Sequence, residues 1–114
     1  MQHSLAMVVD LELEELKREF LAEAEQKVAE IESKVSERSP EALERLSYLA
    51  HQLKGSGGSY GFQRISTDAA ALEAAIERLG EGEAMDETIR QHVVNLRSEI
   101  DRRSQELAPR AAGA

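Results

Sequence analysis

The sequence contains no cysteine, only two prolines, and few aromatic residues, which make up 4% of the chain. Without cysteine, the chain can form neither a disulfide nor a thiolate zinc site. No apolar run approaches the roughly 20 residues of a membrane span, and the N-terminus lacks the basic and then apolar layout of a secretion signal. We therefore expect the protein to be cytoplasmic.

Positive charge is also scarce, since 14 Lys and Arg stand against 22 Asp and Glu, for a net charge of −8. Binding to nucleic acid depends on clustered Lys and Arg, so we expect neither a nucleic acid nor an anionic membrane surface as partner. The glycine-rich spacings of nucleotide-binding loops do not occur, so we expect no ATP site and no autonomous kinase activity. A di-metal bundle needs Glu-x-x-His pairs on two helices, and none occurs; we expect no metal and no cofactor of its own.

Apolar residues recur every three or four positions in four segments, which is the spacing of amphipathic helices, and no strand-like alternation is found. The first helix is predicted to begin at Asp10 as N-cap and the second at Ser39-Pro40. The third is predicted over 64–79 and the fourth over 86–107, before Pro109. The stripe of the first helix comprises Leu13, Leu16, Phe20, Ala24, Val28, Ile31 and Val35.

These segments predict an all-α fold, an antiparallel four-helix bundle with up-down-up-down topology. The length of 114 residues corresponds to one domain, 1–114, with a structured core over about 10–108 and short disordered extensions at both ends. Inward-facing apolar residues of the later helices are predicted at Leu46, Leu49, Leu53, Ile65, Ala69, Leu72, Ile76, Leu79, Ile89, Val93, Leu96 and Ile100.

Residues 50–62 differ from the rest of the chain because a histidine is followed by four of the seven glycines. His51 lies opposite the apolar side of its helix, and Lys54 and Gly55 share its face. A glycine inside a helix costs about 1 kcal/mol relative to alanine. The glycines at 55, 57 and 58 therefore either end the helix or leave a bare surface for the backbone of another protein. We expect the helix to fray through them and to be followed by a turn over 59–62.

The pattern His51-x-x-Lys54-Gly55, with Gly61 and Phe62 further on, resembles the signature of histidine phosphotransfer (HPt) domains. The ending Tyr60-Gly61-Phe62 and the apolar-acidic segment 20–25 are similar to the N-terminal phosphotransfer domain of chemotaxis histidine kinases. The resemblance extends over about residues 13–100. It implies that His51 is the phosphoacceptor and that Lys54 pairs with the phosphoryl oxygens; the alternative for Lys54 is a generic surface lysine.

A carrier histidine that attacks through Nε2 needs its proton on Nδ1 and an acceptor for that proton. In an antiparallel hairpin centred on Phe62, His51 and Glu73 are equidistant from the turn and so lie side by side. The resemblance assigns this acceptor role to Glu73; the alternative is a solvated glutamate on the helix flank. The family often has a second histidine one turn before this glutamate, where the chain has Ala70.

These features predict a phosphotransfer module of two-component or chemotaxis signalling. By resemblance, its partners are a histidine kinase catalytic domain and a response-regulator receiver domain, which would supply the Mg²⁺. The alternative is a non-catalytic adaptor bundle that binds a partner protein. His92 is predicted to be a half-buried packing residue and His3 to lie in an unstructured lead-in. The predicted partner and phosphoryl surface comprises Ser47, Tyr48, Gln52, Gly55 and Gly58.

Overall fold

Four helices account for the fold in the computed structural model, which describes residues 2–37, 39–79 and 86–107. In chain order they are α1 (Gln2–Lys34), α2 (Pro40–Ser59), α3 (Gln63–Glu77) and α4 (Asp86–Leu107). The predicted all-α four-helix bundle is confirmed. Among the described residues, none of the helices combines the length and the apolar character that a membrane crossing requires.

The first helix begins at Gln2, eight residues before the predicted N-cap, so the prediction that Asp10 caps this helix is wrong. Residues 2–10 contain neither glycine nor proline, and nothing in them stops a helix that has formed further along. Asp10 is therefore an exposed residue within α1. The predicted C-terminal extension lies outside the described residues.

The start of α2 matches its predicted cap. The Ser39 side chain accepts a hydrogen bond from the Ala42 backbone N–H at 3.1 Å, and Pro40 occupies the first helical position. Proline is favoured there because its missing N–H would have no partner within the helix. The fourth helix likewise has its predicted bounds.

The end of α2 differs from prediction, because the helix continues through all three glycines to Ser59. Gly57 is buried against α3, and a Cβ placed on it would lie 3.2 Å from both Ile65 Cγ2 and the Ser66 backbone nitrogen. Close packing of the two helices thus outweighs the low helix propensity of glycine. The chain then turns at Gly61, whose φ of +85° is strained for any residue with a side chain.

The core contains nearly all the apolar residues predicted to face inward, with Val35 and Leu79 only partly buried at its margin. Leu13 and Leu16 are the exceptions, since they remain 43% and 46% exposed. They lie on the core side of α1 but before the point where the other helices reach it. The fully buried large side chains are Val28, Ile31, Leu46, Leu49, Leu53, Ile65, Leu72, Leu96 and Ile100.

Ion pairs and hydrogen bonds between helices establish the antiparallel order. On α4, Arg97 contacts Glu25 and Glu32 of α1 at 3.4 and 2.8 Å. Further along α4, the Leu107 carbonyl accepts a hydrogen bond from Arg18 Nε at 2.8 Å. Residues late in α4 therefore contact residues early in α1, so these two helices run antiparallel. The contact between α1 and α4 closes the ring of four helices.

Candidate functional site

The α2–α3 hairpin places an imidazole beside a carboxylate. His51 projects from the middle of α2, and its Nδ1 lies 2.9 Å from Glu73 Oε2 on α3. The two side chains differ in exposure: that of His51 is 64% exposed, whereas that of Glu73 is only 14% exposed. The proximity predicted from equal distances to Phe62 is thus present, and the imidazole is held from its inner side while its outer side faces solvent.

The second oxygen of the same carboxylate is also engaged. Lys54 Nζ lies 2.9 Å from Glu73 Oε1, so one carboxylate contacts both the lysine and the imidazole. The Lys54 ammonium, together with the hydrogen bond from His51, holds the pKa of Glu73 below its usual range, although partial burial opposes this. Glu73 is therefore ionised at neutral pH, and Lys54, expected to pair with phosphoryl oxygens, is paired here with a carboxylate.

The ionised carboxylate determines which ring nitrogen carries the proton. A carboxylate can only accept hydrogen bonds, so the Nδ1 of a neutral His51 must donate to Glu73 Oε2. The lone pair of that imidazole then lies on Nε2, at the exposed side of the ring. The arrangement leaves a nucleophilic nitrogen open to a reacting group from solvent or from another protein.

Tight packing of α2 on α3 fixes this geometry. Gly57 allows the backbones to approach, and Ser66 Oγ donates a hydrogen bond to the Lys54 carbonyl at 2.8 Å. Gly58 is half-buried beside α3. A Cβ placed on it would lie 3.5 Å from Ser66 Oγ. Gly58 therefore faces α3, and the structure does not bear out its placement on the open surface around His51.

The remaining predicted surface residues follow α2 on either side of His51. Gly55 is exposed, and a Cβ there would meet nothing within 4 Å. Gln52 Nε2 donates to the Tyr48 hydroxyl at 2.7 Å, and the Tyr48 side chain is exposed. Ser47 is half-buried. The amide nitrogen of Gln52 is thus engaged by Tyr48 in this structure.

A shallow depression beside the imidazole is lined in part by three residues that were not among the predicted site residues. Ser56, Ser59 and Tyr60 line it together with His51, Gln52 and Gly55. They share this face only because α2 stays helical through the glycines. A helical projection that continued past Gly55 would have identified them.

The other histidines lie elsewhere. His92 is half-buried on α4, as predicted for a packing residue, and His3 belongs to the first turn of α1, where an unstructured lead-in had been expected. Within the described ranges, no group of three or more His, Cys, Asp or Glu is placed to hold a metal ion.

Comparison with known families assigns the chain to a family. A family model described as "Hpt domain" matches residues 15–106, which include all of α2 and α3 and most of α1 and α4. No match was found among curated proteins or among solved structures. Because the family match covers most of the 114 residues, the chain belongs to the histidine phosphotransfer (Hpt) domain family.

Proposed function

We propose that His51 is the phosphoacceptor of this phosphotransfer module. The family assignment makes the chain a module of two-component signalling; the identity of the phosphorylated residue is our inference. The observation that carries it is the hydrogen bond between His51 Nδ1 and Glu73, which in the neutral ring leaves the lone pair on Nε2 of a largely exposed side chain.

In the proposed reaction, the Nε2 lone pair attacks the phosphorus atom of the donor. The Nε2–P bond forms as the bond from phosphorus to the donor oxygen breaks, and its electron pair leaves on that oxygen. The proton on Nδ1 remains in its hydrogen bond to Glu73, which stabilises the positive charge that develops on the ring. Transfer to an aspartate reverses the step: the carboxylate attacks phosphorus and Nε2 leaves with its electrons.

Lys54 is placed to act on both the substrate and the carboxylate. The Lys54 side chain is 40% exposed. It extends from the same face of α2 as His51, and its ammonium contacts Glu73 on α3. In the unphosphorylated state it pairs with Glu73; once a phosphoryl group is on Nε2, the flexible ammonium can also reach the new oxygens. Mg²⁺ is not part of this mechanism on the Hpt side, and we assign it to the partner domain.

The expected partners are a histidine kinase catalytic domain, which phosphorylates His51, and a receiver domain, whose aspartate takes the group away. Within this class we propose the chemotaxis subtype, on the resemblance of Tyr60-Gly61-Phe62 and of segment 20–25 to chemotaxis kinases. Because the phosphoryl source of such kinases is ATP, we propose a cytoplasmic location.

The proposal is tested with two kinds of phosphoryl donor. Phosphoramidate, a small donor that needs no docking, should label His51 with the acid-labile, base-stable bond of a phosphohistidine. Incubation with candidate kinases and receivers plus labelled ATP then identifies the pairs that exchange label. Labelling by phosphoramidate without exchange would mean that the tested partners are wrong, whereas labelling by neither donor would favour an adaptor bundle.

Removing the carboxylate should alter the imidazole as well as the reaction. We expect Glu73→Ala to remove the hydrogen bond that holds the proton on Nδ1, so that the ring populates both neutral tautomers. Phosphorylation should slow about ten-fold, which corresponds to the loss of one charge-assisted hydrogen bond. Ring ¹⁵N chemical shifts measure the tautomers, and labelling kinetics measure the rate. Unchanged tautomers and rate would make Glu73 a solvated surface residue.

The control variants use the lysine. In Glu73→Gln the amide oxygen should turn to Lys54, which can only donate, and the amide N–H should then point at Nδ1 and favour the wrong tautomer. Adding Lys54→Met removes the ammonium that competes for the amide oxygen. This oxygen is then free to accept a hydrogen bond from Nδ1. We therefore expect the double variant to restore the Nδ1–H tautomer that the single Gln variant loses.

Partner approach across the bare surface is tested at Gly55. Gly55→Gln adds a side chain where nothing lies within 4 Å, and it removes a helix-interior glycine, which favours the helix by up to about 1 kcal/mol. We expect transfer to or from a protein partner to fall at least ten-fold while labelling by phosphoramidate is retained. Normal transfer between proteins would show that no partner backbone passes over Gly55.

A further inference from the structure

One exposed aromatic side chain lies beside the proposed phosphoacceptor. The four aromatic residues of the sequence all fall within the described ranges. Phe20 and Phe62 are buried and Tyr60 is half-buried, whereas Tyr48 is 51% exposed. Tyr48 precedes His51 by three residues of α2, so the two side chains are neighbours on the helix surface. A protein that reaches the imidazole therefore meets this ring as well.

The Tyr48 ring is held in place although it faces solvent. Its hydroxyl accepts a hydrogen bond from Gln52 Nε2 at 2.7 Å, and the Arg45 guanidinium lies over the ring, 5.4 Å from its centroid. Arg45 Nε and Nη2 in turn donate to the two carboxylate oxygens of Glu30 on α1, at 2.7 and 3.0 Å. Single exposed apolar residues are common on protein surfaces. A ring fixed on this many sides, however, loses little conformational entropy when a partner covers it, which favours binding.

Tyr48 belongs to an exposed strip along α2. The strip consists of Glu44, Tyr48, His51 and Gly55, which follow one another at spacings of four, three and four residues. Residues at these spacings lie on one face of a helix, and all four are exposed. The proposed phosphoacceptor is therefore one position in a continuous surface.

The strip is bare on the Gly55 side of the imidazole. A Cβ at Gly55 would meet nothing within 4 Å. Apart from His51, the described residues that line the depression on that side are uncharged: Gln52, Gly55, Ser56, Ser59 and Tyr60. The backbone of a partner can therefore come close to the imidazole from this side.

The strip is acidic on the Tyr48 side. The depression there is lined by Glu41, Glu44, Arg45 and Tyr48. Its arginine is paired with Glu30 of α1 at 2.7 Å, so the described lining has a net negative charge. Basic side chains on a partner are favoured at this end of the strip. The strip thus has a direction, with negative charge and a ring at one end and open backbone at the other.

The reaction chemistry indicates which partner uses the strip. A receiver must bring the carboxylate of a short aspartate side chain to Nε2 of His51, so its backbone must approach α2 closely. A specific interface covers about 800 Å² on each partner, far more than one imidazole, and the neighbouring turns of α2 carry Tyr48 and Gly55. A kinase presents the γ-phosphate of ATP at the end of a flexible chain of phosphates, which reaches the imidazole with less contact between the protein surfaces. The strip therefore fits a receiver.

We propose that Tyr48 is the anchor by which a receiver domain docks on this protein, and that the strip sets the direction of the receiver along α2. The proposal rests on the phosphotransfer function proposed above. The receiver places an apolar pocket over the Tyr48 ring, its aspartate at His51 and its closest backbone over Gly55. Basic side chains beside its pocket face Glu44. Fixed aromatic residues near the centre of an interface commonly carry a large share of the binding energy.

Transfer kinetics test the anchor. The full chain is phosphorylated on His51 with phosphoramidate, and loss of label is followed at rising concentrations of a receiver that exchanges label with it. Tyr48→Ala should raise the receiver concentration for half-maximal transfer about ten-fold or more and leave the maximal rate unchanged, because an anchor stabilises the ground state and the transition state equally. Tyr48→Phe keeps the ring and should stay within about three-fold of the wild type.

The matched control is Val94→Ala, which shortens an apolar side chain of α4 that is 54% exposed. This variant should transfer as the wild type does. Circular dichroism and urea denaturation check that each variant is folded.

Charge reversal at Glu44 tests the direction of docking. At low salt, Glu44→Lys should slow association with the receiver about three-fold, because it sets a positive charge against the basic side chains beside the pocket, and the effect should vanish at high salt. Glu87→Lys makes the same change in net charge on α4, which has no contact with α2 among the described residues. We expect it to leave association unchanged.

The possible results separate the anchor from the proposed function. A wild type that phosphoramidate does not label contradicts the function itself. If the wild type is labelled, normal transfer from Tyr48→Ala overturns the anchor and leaves the function intact. A Tyr48→Ala variant that loses only phosphorylation by the kinase would assign the ring to the kinase surface, which also overturns the proposal. Faster association after Glu44→Lys would contradict the proposed direction.

Discussion

Replacing His51 by glutamine is expected to abolish phosphoryl labelling altogether. Glutamine keeps a polar side chain of similar length on the exposed face of α2, so helicity and stability should remain those of the wild type. It has no nucleophilic ring nitrogen, however, and the hydrogen bond to Glu73 then orients nothing that can react. The loss should be equally complete with phosphoramidate and with a kinase, as measured by acid-labile, base-stable radiolabel.

The matched control is His92→Gln, since His92 is a half-buried residue of α4 away from the α2–α3 hairpin. This variant should label at the wild-type rate. Label that persists after His51→Gln, or label that disappears with His92→Gln instead, would place the phosphoacceptor elsewhere and contradict the proposed function.

The second large effect is expected from Gly57→Leu, and it concerns stability. A Cβ at Gly57 already lies 3.2 Å from Ile65 Cγ2 and from the Ser66 backbone nitrogen. The backbone of α3 cannot move aside as the end of a flexible side chain can, so a leucine must push the two helices apart. Overpacking of this kind costs about 3 kcal/mol, out of a typical domain stability of about 5–15 kcal/mol. Urea denaturation should show a lower midpoint with an unchanged slope.

Gly55→Leu is the control for this prediction, because it makes the same substitution two residues away in the same helix. A Cβ at Gly55 meets nothing within 4 Å, so only the gain in helix propensity remains, up to about 1 kcal/mol in favour of the folded state. Equal midpoints for the two variants would show that α2 and α3 are not in tight contact at Gly57.

Some parts of the fold could be predicted from sequence because local signals and tertiary packing agree there. The Ser39-Pro40 start of α2 satisfies its own backbone groups through a local cap, so no tertiary information was needed. The end of α2 could not be predicted in the same way. Glycine propensity argues for a helix end near Gly55, and only the close packing of Gly57 on α3 shows why the helix continues.

The start of α1 and the exposure of Leu13 and Leu16 share one cause. An apolar period shows which side of a helix faces inward, but it contains no information on how far the neighbouring helices extend. The stripe therefore looked like core along its whole length, although the bundle stops near Phe20.

The candidate site was partly predictable. Counting from Phe62 suffices to pair His51 with Glu73, because a short turn makes an antiparallel hairpin symmetric. The ion pair of Lys54 with Glu73 was missed, since the family resemblance paired Lys54 with phosphoryl oxygens and not with a carboxylate of the domain itself. A local helical projection relates Lys54 to His51 but not to the partner helix.

The short turn at Gly61 has a consequence for how this protein can evolve or be redesigned. His51 and Glu73 are 22 residues apart in sequence, and everything between them is helix or a fixed turn. One residue inserted into either helical arm would rotate its site side chain by about 100° and separate the imidazole from the carboxylate. Insertions into the helical arms between His51 and Glu73 are therefore expected to be selected against, because each would break this hydrogen bond.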